Sequence, residues 1–145
     1  MNPGPPPGLH QLPAEILRQE LRRRLSGRRY ADSDLRVGTV SRSSMERLRT
    51  LFPTQQTRAA VLIPLVDRGQ ELTVLLTHRS SELKHHAGQI SFPGGRLEPG
   101  DDNAIAAALR ETEEEIGLRR EFIEVIGCLP DHVVISGYRV TPVVG

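Results

Sequence analysis

The stretch NAIAAALRETEEEIGL, residues 103–118, does most to limit what this chain can fold into. Its alanine run favours helix. Asp101, Asp102 and Asn103 just before it are all suitable N-caps, and Gly117 suits the left-handed residue that ends a helix. The same stretch is electrostatically awkward. Glu111, Glu114 and Glu115 stand at i, i+3 and i+4, on one helix face, where like charges repel by about 0.2–0.5 kcal/mol per pair. They also crowd the negative end of the helix dipole, at a cost of roughly 0.3–1 kcal/mol each. A solvated acidic face is the plainer explanation, but solubility alone would place the acids in the first turn. A hard divalent cation such as Mg²⁺, which takes oxygen ligands, would remove the penalty. The glycine-rich loop FPGGRLEPGDD leading into the helix could bring backbone amides close to phosphates.

Apolar runs flank this core. RAAVLIPLV (58–66) and ELTVLLTHR (71–79) read as paired strands with DRGQ as their turn. A short strand is expected around QISF (89–92), and EFIEVIGCL (121–129) and YRVTPVVG (138–145) read as two more. Strand–strand–loop–helix–strand–strand describes a mixed α/β (α+β) domain over residues 58–145. Residues 1–57 form an arm: an extended Pro/Gly tail, MNPGPPPG, a basic amphipathic helix over 12–25, and a connector with a short helix at SMERLRTLF. The basic helix is expected to dock by Leu12, Ile16, Leu17, Leu21 and Leu25, leaving Arg18, Arg22, Arg23 and Arg24 in water. VTPVVG is a run suited to a core, and a chain rarely ends on such a strand uncovered. The C-terminal part of the domain is therefore expected to be missing, and an open last strand would invite a homodimer.

Composition narrows the function classes. Aromatic residues make up 3% of the chain, too few for a platform that stacks single-stranded nucleic acid. The single cysteine, Cys128, excludes an internal disulfide and any cysteine-cluster zinc site, and it reads as a core residue. His85 and His86 are adjacent, so their side chains diverge, and no third soft ligand is near. Ser91 lacks a His–Asp partner in sequence. The net charge of +1 hides an asymmetry: 11 Arg against 5 acids in residues 1–60, then 8 Lys+Arg against 13 acids in 61–145. No apolar run approaches a membrane span, and a soluble cytoplasmic protein is expected.

With these residues in view, GGRLEPGDDNAIAAALRETEEEIGL resembles the Nudix box, G-x5-E-x7-R-E-U-x-E-E-x-G-U with U aliphatic. Arg110, Glu111, Glu114, Glu115, Gly117 and Leu118 match its second half. Two positions depart from the first half: counting from Gly95, the seventh residue is Asp101 instead of glutamate, and Arg110 arrives one residue late. Thr112 also takes an aliphatic position. Upstream, LLTHRSSELKHHAGQISFPGG resembles a second motif, L-L-T-x-R-[SA]-x3-R-x3-G-x3-F-P-G-G, of the coenzyme A pyrophosphatase branch, with Lys84 replacing its second arginine. The resemblance implies a Nudix fold, a mixed β-sheet sandwiched between helices. It implies Mg²⁺- or Mn²⁺-dependent hydrolysis of coenzyme A, or acyl-CoA, to 4′-phosphopantetheine and adenosine 3′,5′-bisphosphate. Glu111, Glu114 and Glu115 would hold the metal, Gly95 would add a carbonyl, and Arg110 would orient the carboxylates. Arg79, Lys84, Gly94 and Gly95 would meet a small-molecule substrate. A nucleotide such as NADH or ADP-ribose, or an inactive fragment or nucleotide- or RNA-binding module, are the alternatives.

Overall fold

In the computed structural model, residues 13–25, 55–78, 88–134 and 136–145 are described. The tail, the SMERLRTLF segment, Leu12, Arg79, Lys84, His85 and His86 lie outside them.

The apolar run that begins at residue 58 becomes β1 (Thr57–Ile63), whose Ala60 and Leu62 are fully buried. On one edge β1 pairs in parallel with β9 (Tyr138–Val144), from Thr57 opposite Tyr138 to Ile63 opposite Val144. On the other it pairs antiparallel with β6 (Gly94–Arg96), Ala60 opposite Gly95. β7 (Gly127–Cys128) and β8 (His132–Val133) follow one another antiparallel along the far edge of β9, completing a five-stranded sheet. Between them the register slips by one residue, from Gly127 opposite Val144 to His132 opposite Val140, so the chain bulges near Pro130 and Asp131. The Asp131 carboxylate accepts from Arg139 Nε (2.6 Å) and Thr141 Oγ1 (2.7 Å) and ties the bulge to β9. Both edges of β9 are thus taken. The expectation of an open last strand fails here, because β9 inserts between β1 and β7 instead of lying at the rim.

The glutamate-bearing segment forms α2 (Ala104–Ile116). Of the three N-cap candidates Asn103 does the work, its Oδ1 accepting from Ala106 N at 3.0 Å. Ala107 and Ala108 are fully buried against Ala60, Leu62 and Val143, forming the centre of the core. Thr112 is also fully buried, and its hydroxyl donates back to the Ala108 carbonyl at 2.6 Å, which lets it stand where an aliphatic residue would. Gly117, at φ 69°, closes the helix with its N–H on the Glu113 carbonyl, 2.9 Å away.

Several expected strands are shorter than their apolar runs. Pro64 breaks the first, and the chain leaves the sheet to form a hairpin of β2 (Leu65–Asp67) and β3 (Leu72–Val74). β4 (Thr77–His78) separates from β3 and pairs with β5 (Ile90–Ser91). EFIEV is not a strand: a 3₁₀ turn at Arg120–Phe122 precedes β7. Ile123 and Val125 pack against the core without pairing, while Phe122 is exposed.

The basic helix is α1 (Ala14–Leu25), packed on β7 at Gly127, where a Cβ would come within 2.8 Å of Leu25. Its arginines do not simply stand in water. Arg23 and Arg24 hold Glu20, whose carboxyl falls to about 2, while Arg18 and Arg22 reach the domain at Asp67 and Glu124. Among the described residues no helix is long and apolar enough to cross a membrane.

Leu62→Ala should empty the centre of this core and lower unfolding free energy by about 2–5 kcal/mol, measured by denaturant titration.

Candidate active site

Arg110 sits among the acids. Its Nε and Nη2 grip both oxygens of Asp101 (3.1 and 3.0 Å), and Nη2 also donates to the Arg96 carbonyl (3.1 Å). Nη1 donates to Glu111 Oε1 (3.0 Å) and, at 3.4 Å, to both Glu114 oxygens. The Asp101 side chain is only 5% exposed, and it is the main reason the Arg110 pKa is raised. In return the guanidinium, helped by the Glu98 N–H, holds the Asp101 carboxyl below its ordinary value. The residue by which Arg110 is late lies between Asp101 and Arg110, so the spacing from Arg110 to Gly117 is undisturbed.

The helix face is therefore only partly neutralised. Asp101, Glu111 and Glu114 share one guanidinium, while Glu115 instead accepts from Gly94 N at 3.2 Å. Counting formal charges, four negative and one positive leave −3 on this locus. Among the described residues no three acidic, imidazole or thiol groups already converge as ligands. Glu111 is turned toward Arg110 and Glu115 toward Gly94. The donors present are all oxygens, the set a hard divalent cation prefers.

The two glycines have structural duties that the sequence did not disclose. They form strand β6, not an open loop. Gly94 has φ 154°, and a Cβ there would strike the Ala60 carbonyl and Val61 backbone. A Cβ on Gly95 would overlap the Glu111 carboxylate, with Oε1 at 2.5 Å and Oε2 at 2.6 Å, so glycine is what lets Glu111 lie on the strand. Leu62 N donates to Pro93 O and Leu97 N to Arg58 O, which fixes the alternation of this antiparallel ladder. Ala60 and Gly95 are the hydrogen-bonded pair between them, so the Gly95 amide and carbonyl face β1. That corrects the assignment of Gly95 as a carbonyl ligand and phosphate contact. The carbonyls facing outward are those of Gly94, beside Glu115, and Arg96, which Arg110 holds.

A cleft of ≈ 730 Å³ opens beside Glu115. One wall is Leu75, Leu76, Thr77 and His78; the other is Glu115, Ile116, Gly117 and Leu118. Among the described residues the lining contains no Phe, Tyr or Trp. His78 was missed from sequence because it occupies an unspecified position of the upstream motif. Arg96 was missed too: its guanidinium lies 5.3 Å from the Tyr138 ring, and Nε donates to the phenol oxygen at 2.8 Å.

The NUDIX domain model matches residues 56–142, and the chain belongs to the Nudix family. Uncharacterized Nudix hydrolase NudL of Escherichia coli (strain K12) is 56% identical over 88 residues, covering 61% of this chain and 45% of that protein. The Klebsiella aerogenes protein of the same description is 50% identical over 93 residues, covering 64% of this chain and 77% of that one. This chain spans about half the length of the Escherichia coli relatives it matches, 45% of each. Among solved structures, the Nudix hydrolase RenU from M. Smegmatis superposes with a TM-score of 0.51 at 26% identity, over 62% of this chain and 58% of its own.

Asp101 gives the site a pH signature. Its carboxyl is depressed in the folded state, so its stabilisation is present above the ordinary aspartate value, near 4, and is lost as pH falls through the lower folded value. Thermal melts between pH 3 and 6 should show this acid-side loss in the wild type and a smaller one in Asp101→Asn.

Proposed function

We propose that this chain carries the catalytic face of a divalent-metal-dependent diphosphatase acting on coenzyme A or its acyl esters. Water would attack the diphosphate, one bridging P–O bond would break, and 4′-phosphopantetheine and adenosine 3′,5′-bisphosphate would leave. The observation that carries the reading is the residual charge of −3 on Asp101, Glu111, Glu114 and Glu115, which one guanidinium leaves unmatched beside an open cleft. Glu111, Glu114 and Glu115, with the outward carbonyl of Gly94, are the oxygen donors that would hold Mg²⁺ or Mn²⁺. Bound there, such an ion supplies charge neutralisation for the diphosphate and a more acidic water.

The chain's own residues do the rest. Arg110 anchors Glu111 and Glu114 from one side, while Asp101 and the Arg96 carbonyl keep the guanidinium from swinging away. Gly94 N–H steadies Glu115 at the lip of the cleft. The aliphatic side chains of Leu75, Leu76, Ile116 and Leu118 suit a flexible pantetheine arm better than a stacked base. That preference, with the upstream motif, favours coenzyme A over NADH or ADP-ribose. Arg79 and Lys84 of that motif are proposed to meet phosphate oxygens.

The test is hydrolysis of coenzyme A with Mg²⁺, Mn²⁺ or EDTA, products separated by chromatography. Adenosine 3′,5′-bisphosphate should appear only with metal. Hydrolysis of NADH or ADP-ribose but not coenzyme A would overturn the substrate assignment. Glu115→Gln keeps an acceptor for Gly94 N–H yet should lower kcat/KM by on the order of 10²-fold, roughly 2.7 kcal/mol of transition-state stabilisation. Mg²⁺ at a hundredfold excess over its Kd should raise unfolding free energy by about 2.7 kcal/mol, read as a rise in Tm that Glu115→Gln diminishes.

A further inference from the structure

The two walls of the cleft come from separate elements, and neither belongs to the five-stranded sheet. Leu75–His78 follows the β2–β3 hairpin, and Glu115–Leu118 ends α2. Adjoining the second wall at Leu118 lies another cavity of ≈ 350 Å³, bounded also by Arg18, Arg22, Leu65, Leu72 and Ile123 among others. Leu118 faces both spaces, so it partitions them. A wall with a hollow at its back is not positioned by close packing.

Something else spans that hollow. Arg18 of α1 reaches the hairpin, with Nη2 on Asp67 Oδ1 at 2.5 Å and on the Gly69 carbonyl at 3.4 Å. Asp67 pairs directly with Leu72, three residues before the first wall. One helical turn on, Arg22 Nη2 contacts both oxygens of Glu124 at 2.9 and 2.8 Å, six residues beyond Leu118. Glu15 holds Arg18 from within the helix at 2.7 Å. We propose that α1 is a strut for the substrate cleft: Arg18 and Arg22 are positioning residues that tie the two walls to one rigid helix and set the gap between them. The inference rests on the cleft being the substrate site, and it assigns a task to the basic helix that the diphosphatase reading leaves idle.

Two hydrogen-bonded amides report on the walls without any substrate. Leu75 N–H is held by the Pro64 carbonyl (3.1 Å) and Gly117 N–H by the Glu113 carbonyl (2.9 Å). In Arg18→Met/Arg22→Met, hydrogen exchange at both should accelerate while Leu62 and Ala107 stay as in the wild type. KM for coenzyme A should rise about 2- to 5-fold, the range exposed ion pairs allow, with kcat within about 2-fold. The exchanged pair Arg22→Glu/Glu124→Arg should recover the Gly117 protection that Arg22→Glu alone loses. Unchanged exchange at Leu75 and Gly117, or acceleration spread equally over Leu62 and Ala107, would overturn the strut. Should coenzyme A not be cleaved at all, the exchange data still decide the strut, and only the substrate reading falls.

Discussion

The bidentate grip of Asp101 on Arg110 is the interaction on which the site depends. It fixes a guanidinium at the meeting point of the loop, strand β6 and helix α2, with Asp101, the Arg96 carbonyl, Glu111 and Glu114 all within its reach. Charge-assisted contacts of this kind are stronger than neutral ones. A single side chain therefore does for three segments what three separate contacts would otherwise do. Without it, Asp101, Glu111 and Glu114 would meet one another with no cation among them.

The same grip joins the two residues that depart from the family pattern. Aspartate is shorter than the glutamate of the box, and the arginine stands one residue farther along. The spacing from Arg110 to Gly117 is that of the box, so Glu111, Glu114 and Glu115 stay on one face of α2. Close approach then depends on side chains that are absent. Gly95 makes room for Glu111, and Ala107 and Ala108 bring α2 down onto β1.

Around this centre the fold uses proline and irregular turns to send chain to the cleft. Pro64 releases the hairpin from the sheet, and the segment after Gly117 crosses to the far edge without pairing. These departures from regular structure build the two walls beside Glu115. They also leave the hollow behind Leu118 that α1 bridges.

Much was legible in the residues themselves. The α2 helix, its glycine stop, the face shared by Glu111, Glu114 and Glu115, and the strands β1 and β9 follow from local propensity and periodicity, which act over a few neighbours. Other features needed contacts between residues far apart in sequence. Hydrophobicity alone could not say that EFIEV packs without pairing, since buried loops and buried strands are equally apolar. Nor could it say that the final strand lies inside the sheet, because parallel pairing joins segments about eighty residues apart (Thr57 with Tyr138) and leaves no local mark. The turning of the Gly95 carbonyl toward β1 is decided by ladder alternation, a property of two strands together. The sequence by itself determined which charges would crowd one helix face; only the tertiary structure decided that Arg110, braced by Asp101, would be the cation set among them, because that geometry exists only once loop, strand and helix are packed.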